Sequence, residues 1–164
     1  MREHPPRYAV ATLLTAAMMA AAPPAGAQRK SEPTSKPLAS AELDVEGIVA
    51  EVIESTRKEG VLSVRVRFRN TGGKDVKFLL VHSGRYDENY LSSGNVKYTI
   101  IRDAKNNPVA TPTDGGGWIE PRIAKGKSWN WWARFPAPPA ERKTYTLYLK
   151  AGPPIDAVPI VDKP

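Results

Sequence analysis

The segment LSVRVRFR, residues 62–69, decides the fold class because apolar and polar residues alternate strictly along it. Successive side chains of a β-strand point to opposite faces, so this alternation predicts a strand that is buried on one face only. Three arginines form the outward face. The inward face is formed by Leu62, Val64, Val66 and Phe68.

Similar strand patterns lie on both sides of this segment. Residues 76–81 are mostly apolar and follow the turn residues 70–73, which predicts a hairpin with the 62–69 strand. The β-branched run at 43–53 predicts the first strand of the domain, with its exit turn at 57–60. Further strands are predicted at 96–102, 109–111, 128–135, 144–150 and 157–161.

Seven or eight short strands separated by turn residues, without an amphipathic helix, predict an all-β fold. We expect an antiparallel immunoglobulin-like β-sandwich. The chain has no cysteine, so packing alone must hold the two sheets together. The aromatic residues expected in that core are Phe68, Phe78, Trp129, Trp131 and Phe135.

The first 27 residues have the pattern of a secretory signal peptide. Two arginines precede an uncharged run at 8–22, and the small residues 25–27 (AGA) form a cleavage site. The uncharged run is short for a membrane anchor, which is the alternative interpretation. We therefore expect export to the periplasm or secretion. The predicted organisation is a signal peptide at 1–27, a flexible tether at 28–41, the β-sandwich domain at 42–161 and a tail at 162–164.

Composition restricts the chemistry of the exported chain. The whole sequence carries a net charge of +7, and removal of two arginines and one glutamate with the leader leaves +6. The leader also contains all three methionines and one of the two histidines, so His82 is the only histidine that remains. Copper sites use His, Met or Cys, and zinc sites use Cys and His. We expect no metal site and no cofactor.

Several segments together resemble small exported bacterial β-sandwich domains of the immunoglobulin-like kind. They are VRFRNTG (66–72), Tyr98 with Arg102-Asp103, WARFPAPP (132–139), TLYL (146–149) and GPPIDAVPI (152–160). Such domains occur alone or ahead of a peptidoglycan-binding domain of the outer-membrane-protein-A type. The resemblance implies the sandwich fold and brings no catalytic residues. Because the sequence stops at Pro164, we expect the version without the peptidoglycan-binding domain.

Catalytic and calcium-binding patterns are weak. His82 adjoins Ser83, but neighbours on a strand point to opposite faces, which is poor geometry for proton transfer. The segment 55–58 matches S-x-x-K, yet it lies at a predicted turn and does not open a helix. Asp87-Glu88 and Asp114 lack the spacing of a calcium loop. We therefore predict that the protein is not an enzyme.

Aromatic residues offer one candidate binding surface. Trp132 is predicted on the strand face opposite Trp129 and Trp131, where it is either covered by a loop or available to a ligand. Together with Tyr86 and Tyr90 it would form a platform for sugar rings. A carbohydrate-binding module is the alternative function.

Basic residues offer the other candidate. Arg65, Arg67 and Arg69 point from one strand face at intervals of about 6.5–7 Å. Guanidinium groups suit phosphates and carboxylates, although a solvated face that only keeps the domain soluble has the same pattern. An exported protein meets envelope proteins, anionic lipids or glycans rather than nucleic acid. The leading interpretation is a non-enzymatic binding or scaffolding module of the bacterial cell envelope.

Overall fold

A computed structural model describes residues 36–164, and this part of the chain is all-β. The predicted signal peptide and most of the predicted tether lie outside the described residues. One turn of 3₁₀-helix covers Tyr86–Glu88, and no α-helix occurs in the described range. The strands are β1 (Ala39–Glu42), β2 (Ile48–Lys58), β3 (Val61–Asn70), β4 (Val76–Lys77), β5 (Tyr90–Ser93), β6 (Val96–Thr99), β7 (Arg122–Ile123), β8 (Ser128–Pro136), β9 (Thr144–Tyr148), β10 (Ile155–Pro159) and β11 (Val161–Asp162).

The larger sheet has the strand order β1-β2-β3-β8, with every neighbouring pair antiparallel. Strand β11 adds a parallel pairing to β2. Strands β1 and β11 share one edge of β2, because β1 faces residues 49–52 and β11 faces residues 56–57. The other edge of β2 is paired along its length with β3.

The second sheet has the order β10-β9-β5-β6, and β4 pairs with β7 in a short two-stranded sheet. All pairings in these two sheets are antiparallel. Buried side chains of both larger sheets join one apolar core. This arrangement is consistent with a β-sandwich. The largest side chains in the core that are less than 2% exposed are Trp131, Phe68, Phe135, Ile48, Leu62 and Leu80.

The predicted alternation of buried and exposed side chains in β3 and β8 is confirmed. In β3 every predicted inward residue is at most 2% exposed, and in β8 the inward residues from Trp131 onward are buried while Trp132 is 40% exposed. A strand between two occupied neighbours must place alternate side chains in the core, so the period of two is a reliable signal here.

The predicted hairpin between 62–69 and 76–81 is wrong. Both edges of β3 are taken, by β2 and β8, and β4 contains only Val76–Lys77 and pairs with β7. The apolar residues that follow are nevertheless buried, and the Leu80 N–H donates to the Ile119 carbonyl at 2.9 Å. An apolar run specifies burial, but it does not specify which strand is the partner.

Two predicted boundaries also differ from the structure. Residues 39–41, assigned to the tether, belong to β1, whose main chain pairs with β2 and needs no large apolar side chain. At the other end, Val161–Asp162 is β11, so the fold includes part of the predicted tail. Strand β2 continues through Lys58, so the turn to β3 consists of Glu59 and Gly60 only, the second half of the predicted turn at 57–60.

A bulge in β2 sets the direction of the side chains beyond it. The pairing register with β3 shifts between Val52 and Glu54. Before the bulge Val52 faces the core, and after it Ser55 and Arg57 are the buried residues. The extra residue places Glu51 and Glu54 on the same outer face although they are three positions apart.

Candidate functional site

The predicted arginine stripe and one member of the predicted aromatic platform, Trp132, lie on one face of the larger sheet. We call this the outer face: the side chains of β2, β3 and β8 that point away from the core. The cross-strand register puts the arginines of β3 between the glutamates of β2 and the polar residues of β8. Its central members are Glu51, Glu54, Thr56, Ser63, Arg65, Arg67, Arg69, Asn130, Trp132 and Arg134.

Two arginines of the predicted stripe are held by Glu51. The Glu51 carboxylate accepts hydrogen bonds from Arg67 Nε at 2.7 Å and from Arg69 Nη2 at 2.9 Å, and Glu51 is 5% exposed. Burial acts to raise the pKa of Glu51, but the two guanidinium groups outweigh burial and hold the pKa below its usual value. The Glu51 carboxylate therefore neutralises part of the positive charge of Arg67 and Arg69 within the protein.

Trp132 stands at the β8 end of the cross-strand row that contains the third arginine, Arg65. Arg65 is directly opposite Trp132 in the β3–β8 register and opposite Glu54 in the β2–β3 register. Arg65 Nε is 3.4 Å from a Glu54 carboxylate oxygen, and both side chains are roughly 40% exposed, as is Trp132. An indole, a guanidinium and a carboxylate thus form one row across three strands.

Arg134 adds a second cation to this region. It lies on the same face of β8 as Trp132, opposite Ser63. No carboxylate among residues 36–164 is within salt-bridge distance of its guanidinium. A groove of about 240 Å³ is lined by Glu54, Ser63, Arg65, Trp132 and Arg134, and an adjoining groove of about 360 Å³ shares three of these residues and extends to Thr56, Lys58, Glu59 and Lys163.

The two tyrosines predicted to join Trp132 lie elsewhere, so the predicted three-residue platform does not form. Tyr86 is buried, its hydroxyl donates to the Thr111 carbonyl at 2.7 Å, and burial raises its pKa. Tyr90 belongs to the second sheet and stacks on Tyr148, with ring centroids 4.6 Å apart. Lys97 Nζ is 3.9 Å from the centre of the Tyr90 ring.

His82 and Ser83 are closer than the sequence argument predicted. Ser83 Oγ is 3.2 Å from His82 Nε2, because Ser83 has a φ of +50° and the backbone there is not a strand. The His82 ring packs edge-on against Trp118, with centroids 4.3 Å apart. A serine nucleophile also needs N–H donors for the developing oxyanion. The N–H groups of the next two residues, Gly84 and Arg85, already bond to main-chain carbonyls.

Two of the three acidic positions considered for calcium, Glu88 and Asp114, have partners within the chain. Glu88 contacts Arg85 at 2.9 Å and Lys150 at 2.5 Å. Asp114 Oδ1 accepts the main-chain N–H groups of Gly116 and Trp118 at 3.0 and 2.8 Å and closes the turn between them. Within the described range, no three His, Asp or Glu side chains come together as metal ligands.

Comparisons with known proteins identify no family for this chain, so its class is described from the structure alone. No protein-family model matches the chain, and neither a curated protein nor a solved structure matches it. None of the described residues form a helix that is long and apolar enough to cross a membrane. The structure defines an all-β domain with antiparallel sheets, and the outer face is its strongest candidate for a binding site.

Proposed function

We propose that this chain is a non-enzymatic binding or scaffolding module of the bacterial cell envelope. In this proposal the leader at 1–27 exports the chain, and the domain is an immunoglobulin-like β-sandwich of the kind that the sequence resembles. Its ligand is an anionic component of the envelope, bound on the outer face around Arg65, Trp132 and Arg134.

One observation supports this proposal above the others. Trp132 is 40% exposed in the middle of a strand, directly opposite Arg65 and two residues from Arg134. An exposed tryptophan on a sheet face provides a large apolar contact area, and guanidinium groups bind carboxylates and phosphates in a fixed geometry. Arg134 provides positive charge at this end of the face, whereas Glu51 binds both Arg67 and Arg69 and Glu54 contacts Arg65.

A carbohydrate-binding module is the second candidate. It is supported by the same exposed indole beside a groove whose hydrogen-bonding groups include Ser63 and Glu54. Unlike the platform predicted from the sequence, this version uses neither Tyr86 nor Tyr90. Ring stacking depends weakly on salt and anion binding depends strongly on it, so salt distinguishes the two.

Co-sedimentation tests the proposal directly. The purified domain is mixed with vesicles containing phosphatidylglycerol and, separately, with insoluble cell-wall polymer, at low and at high salt. We expect binding to at least one of them, with a loss of about tenfold or more in Trp132→Ala and Arg134→Ser, since each removes one direct contact. Trp118→Ala and Arg122→Ser are matched controls, because both residues are exposed outside this face. Equal binding by all four variants and the wild type contradicts the proposal.

The non-enzymatic part has its own test. Ser83 lies within hydrogen-bonding distance of His82, so it is the serine to examine. We expect a fluorophosphonate probe to leave the folded protein unlabelled, with Ser83→Ala as the control for any weak signal. Stoichiometric labelling that disappears in Ser83→Ala contradicts the proposal that the protein is not an enzyme.

A further inference from the structure

Three cross-strand rows of the outer face carry different chemistry. The first row is Glu54, Arg65 and Trp132, the second is Thr56, Ser63 and Arg134, and the third begins with Lys58. Rows are two residues apart, about 6.5–7 Å along the strand. The two grooves on this face meet at Glu54, Ser63 and Arg134 and so form one continuous depression.

The far end of this depression is basic. Lys163 lines it next to β2, where its main-chain N–H donates to the Arg57 carbonyl at 3.0 Å. Lys58 is nearby, with its Nζ donating to the Pro164 main-chain oxygen at 2.8 Å. From Trp132 on β8 to Lys163 beside β2, the path crosses the sheet diagonally over about 20 Å, given the spacing of strands and of residues along them.

The lining combines three kinds of group that a single ligand must satisfy. Trp132 provides an apolar ring face. Thr56, Ser63 and Glu54 provide hydroxyl and carboxylate groups that hydrogen-bond to ligand hydroxyls. Arg134 and Lys163 provide positive charge for ligand carboxylates.

The balance of charge argues against a bare polyanion or a flat lipid surface. Four cations, at Lys58, Arg65, Arg134 and Lys163, line the two grooves together with two carboxylates, Glu54 and Glu59. Counted over these side chains the surplus is two positive charges, and one of the four cations, Lys58, already bonds the Pro164 main-chain oxygen. A ligand with many hydroxyl groups and a few carboxylates matches this lining, whereas a phosphate-rich polymer brings its charges close to both glutamates.

We infer that the outer face binds an acidic oligosaccharide whose sugar rings carry carboxylates, with one ring on Trp132 and the chain running past Arg134 towards Lys163. This inference rests on the proposed function and specifies the ligand class. The rings stack through their C–H faces on the indole. Carboxylates that follow along the chain meet Arg134 and then Lys163, with hydroxyl groups held between them.

Titration with defined oligosaccharides, followed by tryptophan fluorescence and calorimetry, tests the inference. The probes are hyaluronan fragments of two and of six sugars, in which every second ring carries a carboxylate, the uncharged N-acetylglucosamine hexamer and phosphatidylglycerol vesicles. We expect the acidic hexamer to bind at least about tenfold more tightly than the neutral hexamer, as expected when at least one charge-assisted hydrogen bond is added. The acidic dimer is too short to reach both ends, so it should bind more weakly than the acidic hexamer.

Single substitutions test which residues bind each end of the oligosaccharide. Trp132→Ala should abolish binding of both hexamers, and Trp132→Phe should restore part of it. Arg134→Ser should remove the preference for the acidic hexamer, and Lys163→Ser should weaken the acidic hexamer while leaving the acidic dimer unchanged. Arg122→Ser, an exposed strand residue outside this face, should change nothing.

The outcomes separate the inference from the proposed function. Equal affinity for the acidic and neutral hexamers overturns the inference. Binding to the vesicles without binding to either hexamer overturns it as well and leaves the proposed function in place. No binding to the vesicles, to the oligosaccharides or to wall polymer overturns both.

Discussion

The Arg57 guanidinium bonds both carboxylate oxygens of Asp162, at 2.5 and 3.0 Å, across 105 positions of sequence. The same group donates to the carbonyls of Pro138 and Pro139 at 3.0 and 2.7 Å, and to those of Ala140 and Arg142 at 3.2 Å. Arg57 is 8% exposed and points inward because of the β2 bulge. One buried cation therefore joins β2, the β8–β9 loop and β11.

Replacing Arg57 should destabilise the fold strongly. Arg57→Ala leaves four carbonyls and a carboxylate without their donor, so we expect a loss of about 3–5 kcal/mol in the free energy of unfolding. Asp162→Asn keeps the carbonyl contacts and should cost about 1 kcal/mol or less, since this carboxylate is half exposed. Urea unfolding measures both. Equal losses would show that the ion pair, and not the set of carbonyl contacts, holds β11 in place.

Glu51 should give the domain a sensitivity to acid. Its pKa is lowered in the folded state, so its stabilising contribution is present above its unfolded pKa of about 4.3 and is lost as the pH falls through its lower folded value. We expect the free energy of unfolding to fall as the pH drops below about 5, and Glu51→Gln to flatten this dependence. Glu51→Gln should also cost about 1–3 kcal/mol at pH 7, because a neutral amide with a single acceptor oxygen replaces the buried carboxylate that accepts from Arg67 and Arg69.

Glu54→Gln is the matched control for Glu51→Gln. Glu54 lies on the same face and contacts Arg65 at 3.4 Å, but its side chain is 38% exposed. We expect its replacement to change the stability at pH 7 by less than about 1 kcal/mol. A wild-type acid profile that survives in Glu51→Gln and disappears in Glu54→Gln contradicts this assignment. Thermal or urea unfolding across the pH range distinguishes the two variants.

Trp131 and Trp132 are neighbours in sequence with opposite roles. Trp131 has no exposed surface and Trp132 is 40% exposed. Trp131→Ala should cost about 3–5 kcal/mol because it leaves a cavity in the core, and Trp132→Ala should cost about 1 kcal/mol or less. Unfolding curves measure this difference in stability. In binding assays on folded protein, we expect Trp132→Ala to lose more affinity than Trp131→Ala. Similar destabilisation by both variants would mean that Trp132 serves packing.

Gly47 should tolerate no side chain. Its φ is +81°, and a Cβ atom there would lie 2.9 Å from the Gly72 Cα in the facing loop. Gly47→Ala should therefore destabilise the domain by about 1–3 kcal/mol. Gly73→Ala is the control, since nothing lies within 4 Å of a Cβ atom at that position. Differential scanning calorimetry of the two variants checks the expectation, and equal midpoints would contradict it.

The strand content, the inward residues of β3 and of β8 from Trp131 onward, and the outward direction of Trp132 follow from the sequence pattern. The pairing of β4 with β7 does not follow from it, and neither do the ion pairs that Arg67 and Arg69 form with Glu51. Glu51 and Glu54 lie on a segment whose period is interrupted by a bulge, so their approach to the arginines has no signal in the periodicity. The Ser83–His82 contact was missed because it depends on one left-handed residue.

Alternation along residues 62–69 and 128–135 by itself determined which side chains enter the core, because a strand has only two faces and burial requires one of them to be apolar. Only the tertiary structure decided what the outward side chains meet. Cross-strand neighbours depend on register, and register depends on which strands pair and where a bulge occurs. For this reason Arg65 and Trp132, separate candidates along the chain, become neighbours in one row, while Tyr86 and Tyr90 lie elsewhere.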